Sequence, residues 1–225
     1  MVDRLKKFLN WIEAFSTSLI GVLSFQMIGY LREQSDRIGW VVFLVIAIVF
    51  ALSRLIHAGA KWSINNMVFL RKFIMQKEFV EGRWIDFVKD QKGIRSVAII
   101  NIAYDSSSFL VNTGQIFSLE GEEIGSFRSF ISTYSKYKMK FSYAGTSNKI
   151  STVDTFGFGE YTFLQKTKGS PDELSGFLYD THYKKKLLVI AKKVSRDVKL
   201  NTIDEKRNFI KRFIIENDIQ SNSEK

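Results

Sequence analysis

Two stretches decide the fold: Trp11–Leu31, WIEAFSTSLIGVLSFQMIGYL, and Ile38–Leu55, IGWVVFLVIAIVFALSRL. Each is close to the roughly 20 helical residues needed to cross a bilayer core. The second is apolar on every face, as a lipid-embedded helix is. The first carries one charge, Glu13, near its start, and Gln26 inside. A cleaved signal peptide fits poorly, because the first apolar run is long and a second follows at once. The pair reads as a membrane hairpin spanning residues 1–78 with its linker.

Charge orients that hairpin. Arg4, Lys6 and Lys7 precede the first run, and Arg54, Lys61, Arg71 and Lys72 follow the second. The short turn between them holds Arg32 and Arg37 against Glu33 and Asp36. The positive-inside rule then puts both termini in the cytoplasm and the turn outside, in a multi-pass membrane protein. Arg54 is expected to snorkel from its helix end. Glu13 is read as an interfacial residue, or as a polar group that serves when helices pack.

From Phe79 onward the pattern changes to short strands broken by Gly, Asn, Asp and Ser. Eight are expected: Phe79–Val88, Ile94–Tyr104, Phe109–Leu119, Ile124–Tyr134, Lys138–Ala144, Phe156–Lys166, Leu174–Asp180 and Lys186–Val194. No helical crossover separates them, so the sheet is antiparallel. Eight such strands close into a small barrel over residues 79–195 and leave no edge exposed, with a two-sheet sandwich as the competing architecture. Residues 196–225 form a helix and tail. Thr202 and Glu205 have capping-box spacing, and Ile203, Phe209, Ile210, Phe213 and Ile214 follow with helical period. Residues beyond Asp218 are expected to fray.

Composition narrows the function. The chain has no cysteine, which fits a reducing compartment and excludes disulfides and zinc-thiolate sites. The net charge of +10 is shared equally by residues 1–78 and 79–225. The soluble part is too weakly basic to suggest a DNA or RNA duplex as partner. There is no nucleophile elbow, P-loop or metalloprotease helix, so the chain reads as a binding protein and not an enzyme. His57 and His182 lie in different parts with no metal-ligand partner in sight. Asp154-Thr155-Phe156-Gly157-Phe158-Gly159-Glu160 lacks the strand–turn–helix context of a dinucleotide loop. Its glycines suit a bend or a close approach of ligand to backbone.

A barrel mouth holds ligand between aromatic walls and a few polar groups. Ser126 and Arg128 share a strand face, and an inward Arg128 needs an anionic partner such as phosphate. Tyr143, Thr155 and Tyr161 offer hydroxyls from later strands, and the tyrosine rings offer stacking surfaces for a base. Lys184-Lys185-Lys186 reads as a solvated turn in preference to a phosphate clamp. Glu81-Gly82-Arg83-Trp84 resembles the Gly-X-Trp opening of lipocalin-like barrels. There the Trp plugs the closed end more often than it touches ligand, so Trp84 is both a plug and a candidate contact.

The hairpin, the strand count and several strings together resemble one family. The strings are Glu81-Gly82-Arg83-Trp84, Phe127-Arg128-Ser129, Phe141-Ser142-Tyr143, Asp154-Thr155-Phe156-Gly157-Phe158-Gly159 and Leu174-Ser175-Gly176-Phe177-Leu178-Tyr179-Asp180. The chain resembles the two-transmembrane β-barrel effectors of CBASS, bacterial anti-phage systems related to cGAS–STING signalling. The resemblance implies that a nucleotidyltransferase supplies a cyclic di- or oligonucleotide, with no other cofactor, and that the barrel binds it. It implies further that the hairpins then form a homo-oligomer, the inner membrane loses integrity and the infected cell dies. Gly21, Gly29, Ser16, Ser18, Ser24 and Gln26 give the first helix a small, hydrogen-bonding face for such packing. A membrane-held lipid or fatty-acid carrier and a structural anchor for a protein partner are the alternatives.

Overall fold

The computed structural model describes residues 2–32, 38–91, 93–105, 110–147, 155–181, 184–195 and 197–216. The turn at 33–37, Phe109, Asp154, His182 and the tail beyond Asp218 lie outside them. The chain divides into two compact units, one of residues 2–75 and one that begins at Gln76 and contains every strand.

The first unit is helical: α1 Val2–Arg32, α2 Ile38–Asn66 and α3 Val68–Met75. Within it Lys7–Tyr30 and Phe43–Asn66, of 24 residues each, are long and apolar enough to cross a membrane. At 1.5 Å per residue each window is about 36 Å long, against a hydrocarbon core of about 30 Å. Their few polar side chains find local acceptors. Ser16 donates to the Glu13 carbonyl at 3.0 Å and Ser24 to the Ile20 carbonyl at 2.6 Å. Between the two helices Thr17 and Ser53 hydroxyls meet at 3.3 Å, and Glu13 lies 3.6 Å from His57 Nδ1. Glu13 thus faces a neighbouring helix. The Arg54 guanidinium lies 5.1 Å over the Phe50 ring, one turn back along its own helix. Arg71 donates to the Ile64 carbonyl at 2.6 Å and the Asn65 carbonyl at 2.9 Å, satisfying the last turn of α2.

The second unit is a closed, eight-stranded antiparallel barrel in sequential order, completed by pairing of β1 with β8. Its strands are β1 Gly82–Asp90, β2 Gly93–Ala103, β3 Val111–Phe117, β4 Glu123–Ser135, β5 Lys138–Ser147, β6 Thr155–Phe163, β7 Glu173–Asp180 and β8 Lys185–Lys193. All eight expected strands are present, with ends shifted by at most three residues. Asp90 pairs with Gly93 in a tight hairpin, where Gly93 holds φ at +122°, a conformation that other residues rarely adopt.

Barrel closure forces alternate residues inward, and on the inside space runs short. Aromatic side chains resolve this by lying over glycines of the neighbouring strand. A Cβ at Gly114 would overlap the Phe127 ring and come within 2.8 Å of Ile100. One at Gly159 would lie 2.7 Å from both Phe141 and Leu178, and one at Gly157 would lie 2.5 Å from Tyr143. Gly157 and Gly159 therefore receive the protein's own side chains, which corrects the expectation that they admit ligand.

Both faces of β1 are buried, because a helix covers the outside. α4, Ile203–Glu216, starts at the expected capping box. Glu205 N–H donates to Thr202 Oγ1 at 3.2 Å, and Glu205 Oε2 accepts from the Thr202 and Asn201 amides at 3.1 and 2.7 Å. The amide of Asn201, then that of Thr202, holds the Glu205 carboxyl below its usual range. Ile210 and Ile214 pack on Ile85, Phe87, Val97, Ile99 and Phe117, and Phe213 stacks on Phe87 at 5.3 Å. The outer faces of β6 and β8 leave Phe156, Phe158, Leu188 and Ile190 exposed.

Substituting Gly114 by alanine is expected to destabilise the barrel by about 1–3 kcal/mol through overpacking. Adding Phe127→Ala should cost less than the sum of the two single changes. Denaturant unfolding of the four proteins measures both; additive costs would mean that the ring does not lie over the glycine.

Candidate functional site

The barrel has one sealed end and one open end. At the sealed end Trp84 is fully buried, its indole N–H donating to the Val80 carbonyl at 3.1 Å. Phe163 meets Trp84 edge-on at 5.4 Å and Tyr134 at 5.7 Å, with Met139 and Leu174 buried beside them. Trp84 is the plug, and it does not reach the cavity at the other end.

The open end lies where β1 turns into β2, β3 into β4, β5 towards β6 and β7 towards β8. A cavity of 380 Å³ opens there. Its apolar wall is Val88, Ala98, Ile116, Phe127, Leu178 and Leu187. Its polar groups are Asp86, Asp180, Arg95, Ser96, Tyr143, Thr146, Ser147 and Thr155. The mixture of a mainly apolar wall with convergent polar groups is that of a small-molecule site, and the volume is within the usual range of about 300–1,000 Å³.

The expected residues divide. Tyr143 and Thr155 line the cavity, and Phe127 meets Tyr143 edge-on at 5.9 Å. Burial, and after it the Asp180 carboxylate, raises the Tyr143 hydroxyl well above its usual range, so it remains a neutral donor. Tyr161 lies deeper, fully buried against Phe141 at 4.7 Å, and acts on the cavity through Asp86.

Arg128 and Ser126 are the correction. Phe127 and Ser129 take the inward positions of β4, so their neighbours point out; Arg128 is exposed and Ser126 shares a 3.1 Å hydroxyl contact with Thr146. A register shift between Ser129 and Ile131 then leaves Phe130 and Ile131 both exposed. An alternating strand pattern fixes which residues share a face, but not which face is the inside. The inward cation expected of Arg128 is therefore missing from that position. The cation lining the cavity is Arg95, which also lies 3.5 Å from Asp90. At the same end Lys184, Lys185 and Lys186 are exposed at the β7–β8 turn, and Lys186 covers the Phe177 ring at 4.3 Å.

Asp86 is the site residue that the strand reading missed. It is 1 % exposed and still lines the cavity. The Tyr161 hydroxyl donates to its Oδ2 at 3.2 Å, while Oδ1 has no hydrogen-bond partner. The side chain of Asn112, also fully buried, has no partner of normal geometry at either polar atom. Burial pushes the Asp86 carboxyl up to about 7, the Tyr161 hydrogen bond opposing the shift. Burial and then Asp86 itself push the Tyr161 hydroxyl well above its usual range. The signal was available, because Asp86 follows Trp84 by two positions and so shares its face.

No protein-family model, curated protein or solved structure matches this chain. The site therefore rests on its own geometry.

Asp86 has a thermodynamic signature. Its folded pKa is above its unfolded value of 3.8, so the folded state holds the extra proton between about pH 4 and 7 and stability falls as pH rises through that window. A shift to about 7 corresponds to about 4 kcal/mol in full. Asp86→Asn removes the ionisation and keeps an oxygen for Tyr161. Its melting temperature should therefore exceed that of the wild type at pH 8, with the difference closing toward pH 4. A difference that does not change with pH would show that Asp86 does not titrate in this range.

Proposed function

We propose that this chain is a membrane-tethered receptor of the CBASS effector type, whose barrel binds a cyclic nucleotide and whose helical pair responds by assembling in the inner membrane. The carrying observation is the open-ended cavity. An aromatic ring, hydroxyls and the Asp86 carboxyl line its interior, while Arg95 and three lysines stand at its open end. That polarity suits a ligand with base edges turned inward and phosphates turned out to cations. It suits a fatty acid less well, because a fatty acid brings a carboxylate and the Asp86 carboxyl is already inside.

The output follows from tethering. Two spans confine the receptor to a plane, which raises its effective concentration, and ligand shifts assembly only by its differential affinity for the assembled form. The small face of α1 has room for a partner helix. A Cβ added at Gly21 or Gly29 meets nothing within 4 Å in the single chain. Close helix approach through such positions is a common mode of packing in membranes. Both termini lie in the cytoplasm on this reading, where a nucleotidyltransferase product is available.

Full-length protein in nanodiscs should gain thermal stability with a cyclic dinucleotide. Arg95→Ala should weaken binding roughly tenfold to hundredfold, the loss of a charge-assisted bond of about 1.5–3 kcal/mol, and Arg128→Ala should leave it unchanged. In liposomes the same ligand should release trapped dye steeply with protein density and return chemically intact. Gly21→Leu should keep the thermal shift and lose the release. If a fatty acid stabilises the protein and no cyclic nucleotide does, the carrier function replaces this one.

A further inference from the structure

The unpartnered oxygen of Asp86 calls for a specific complement. A carboxylate that is almost wholly buried, with one oxygen satisfied by Tyr161 and the other without a hydrogen-bond partner, belongs to the lining of the cavity. Buried acceptors without donors are costly, and a ligand that supplies the donor recovers that cost on binding. The free Oδ1 accepts one strong hydrogen bond and offers none while Asp86 is ionised. A base whose pairing edge carries a ring N–H satisfies it. A base with an unprotonated ring nitrogen at that position brings a second acceptor against it.

Resting on the nucleotide reading above, we propose that Asp86 is the base-reading residue of the cavity and selects a keto-type base, guanine or uracil, through its ring N–H. Tyr161 is the positioning residue, because its hydroxyl fixes Oδ2 and leaves Oδ1 for ligand. Tyr143 stands at the cavity wall beside Phe127, where a base inserted towards Asp86 meets aromatic surface. Adenine meets the same point with its ring N1 as an acceptor, which an ionised Asp86 repels.

Proton linkage distinguishes this assignment from a purely structural acid. Tyr161 of β6 donates to Asp86, Tyr143 of β5, Asp180 of β7 and Arg95 of β2 line the same cavity, and β8 presents Ala191 opposite Asp86. Both tyrosines stay neutral well above pH 8, so Asp86 is the acid set to change state between pH 6 and 8. A ring N–H donor favours the ionised carboxylate, so binding releases a proton and tightens as pH rises.

The test titrates the full chain in nanodiscs with cyclic di-GMP, cyclic di-UMP and cyclic di-AMP by calorimetry. The expected result is that the guanine or uracil ligand binds most tightly. Its affinity should rise about tenfold from pH 6 to pH 8, with proton release seen as a dependence of the heat on buffer ionisation enthalpy. Asp86→Asn should lose tenfold to hundredfold in that affinity and flatten the pH profile. Tyr161→Phe should weaken binding less and move the profile to higher pH, because the hydrogen bond that holds the Asp86 carboxyl down is lost. Preference for the adenine ligand, or affinity that falls with rising pH, overturns the base assignment and leaves the nucleotide reading standing. Unchanged binding by Asp86→Asn does the same. Binding of none of the three overturns both.

Discussion

Everything in the soluble unit depends on the pairing of β1 with β8. Six cross-strand partners from Trp84↔Lys193 to Lys89↔Leu188 turn an open sheet into a barrel, so neither β1 nor β8 presents an unpaired edge. Closure also creates an inside. From then on each strand residue is committed to core or surface, and each inward side chain competes for a fixed volume. The glycines under Phe127, Phe141 and Tyr143 are the consequence, since three large rings fit only where the adjacent strand gives up its side chain. Plugging one end with Trp84 and Phe163 leaves the remaining volume at the other, and that is why the cavity opens at a single mouth.

The helical pair obeys a different constraint. Its side chains are apolar all round, yet the few polar ones do not face outward at random. Thr17 reaches Ser53, and Glu13 reaches His57, across the hairpin. In an apolar medium such contacts hold two helices in one register more firmly than nonpolar packing alone, because the alternative is an unsatisfied polar group. Gly21 and Gly29 make no contact of that kind and leave space. One set of residues thus fixes the hairpin, and another leaves open space along α1.

The fold was legible in the sequence because its determinants are local. Two apolar runs, eight alternating segments, turn residues and one capping box each write their own structure, and the strand number limits how they join. The site was only partly legible. Tyr143 and Thr155 fell on the cavity, but Arg128, read as inward and so in need of an anionic partner, is exposed, and the cation that lines the cavity is Arg95 of β2. Parity within a strand is readable, whereas its absolute direction is set by neighbours across the barrel. β4 is harder still, since its register shift near Ser129 breaks the alternation in mid-strand. Trp84 was the one fixed reference. Once it is a plug, Asp86 on the same face has to be inside, and an acid inside a small barrel is the most informative charge in the domain.

That acid also explains the order of polarity along the cavity. A carrier for a fatty acid needs a cation within and an apolar path outward. Here the Asp86 carboxyl is within, hydroxyls and an aromatic ring line the way, and cations stand at the mouth beside Asp180. In the proposed receptor, reversing the usual order selects ligands by both ends at once, an anionic end held near solvent and a hydrogen-bond donor led inward. It also keeps Asp86 away from bulk water, and burial is what lifts its pKa to about 7. Near neutral pH its charge is then held only weakly, so a ligand that donates to it settles the protonation state of the barrel floor, through a residue joined directly to β6 by the Tyr161 hydroxyl.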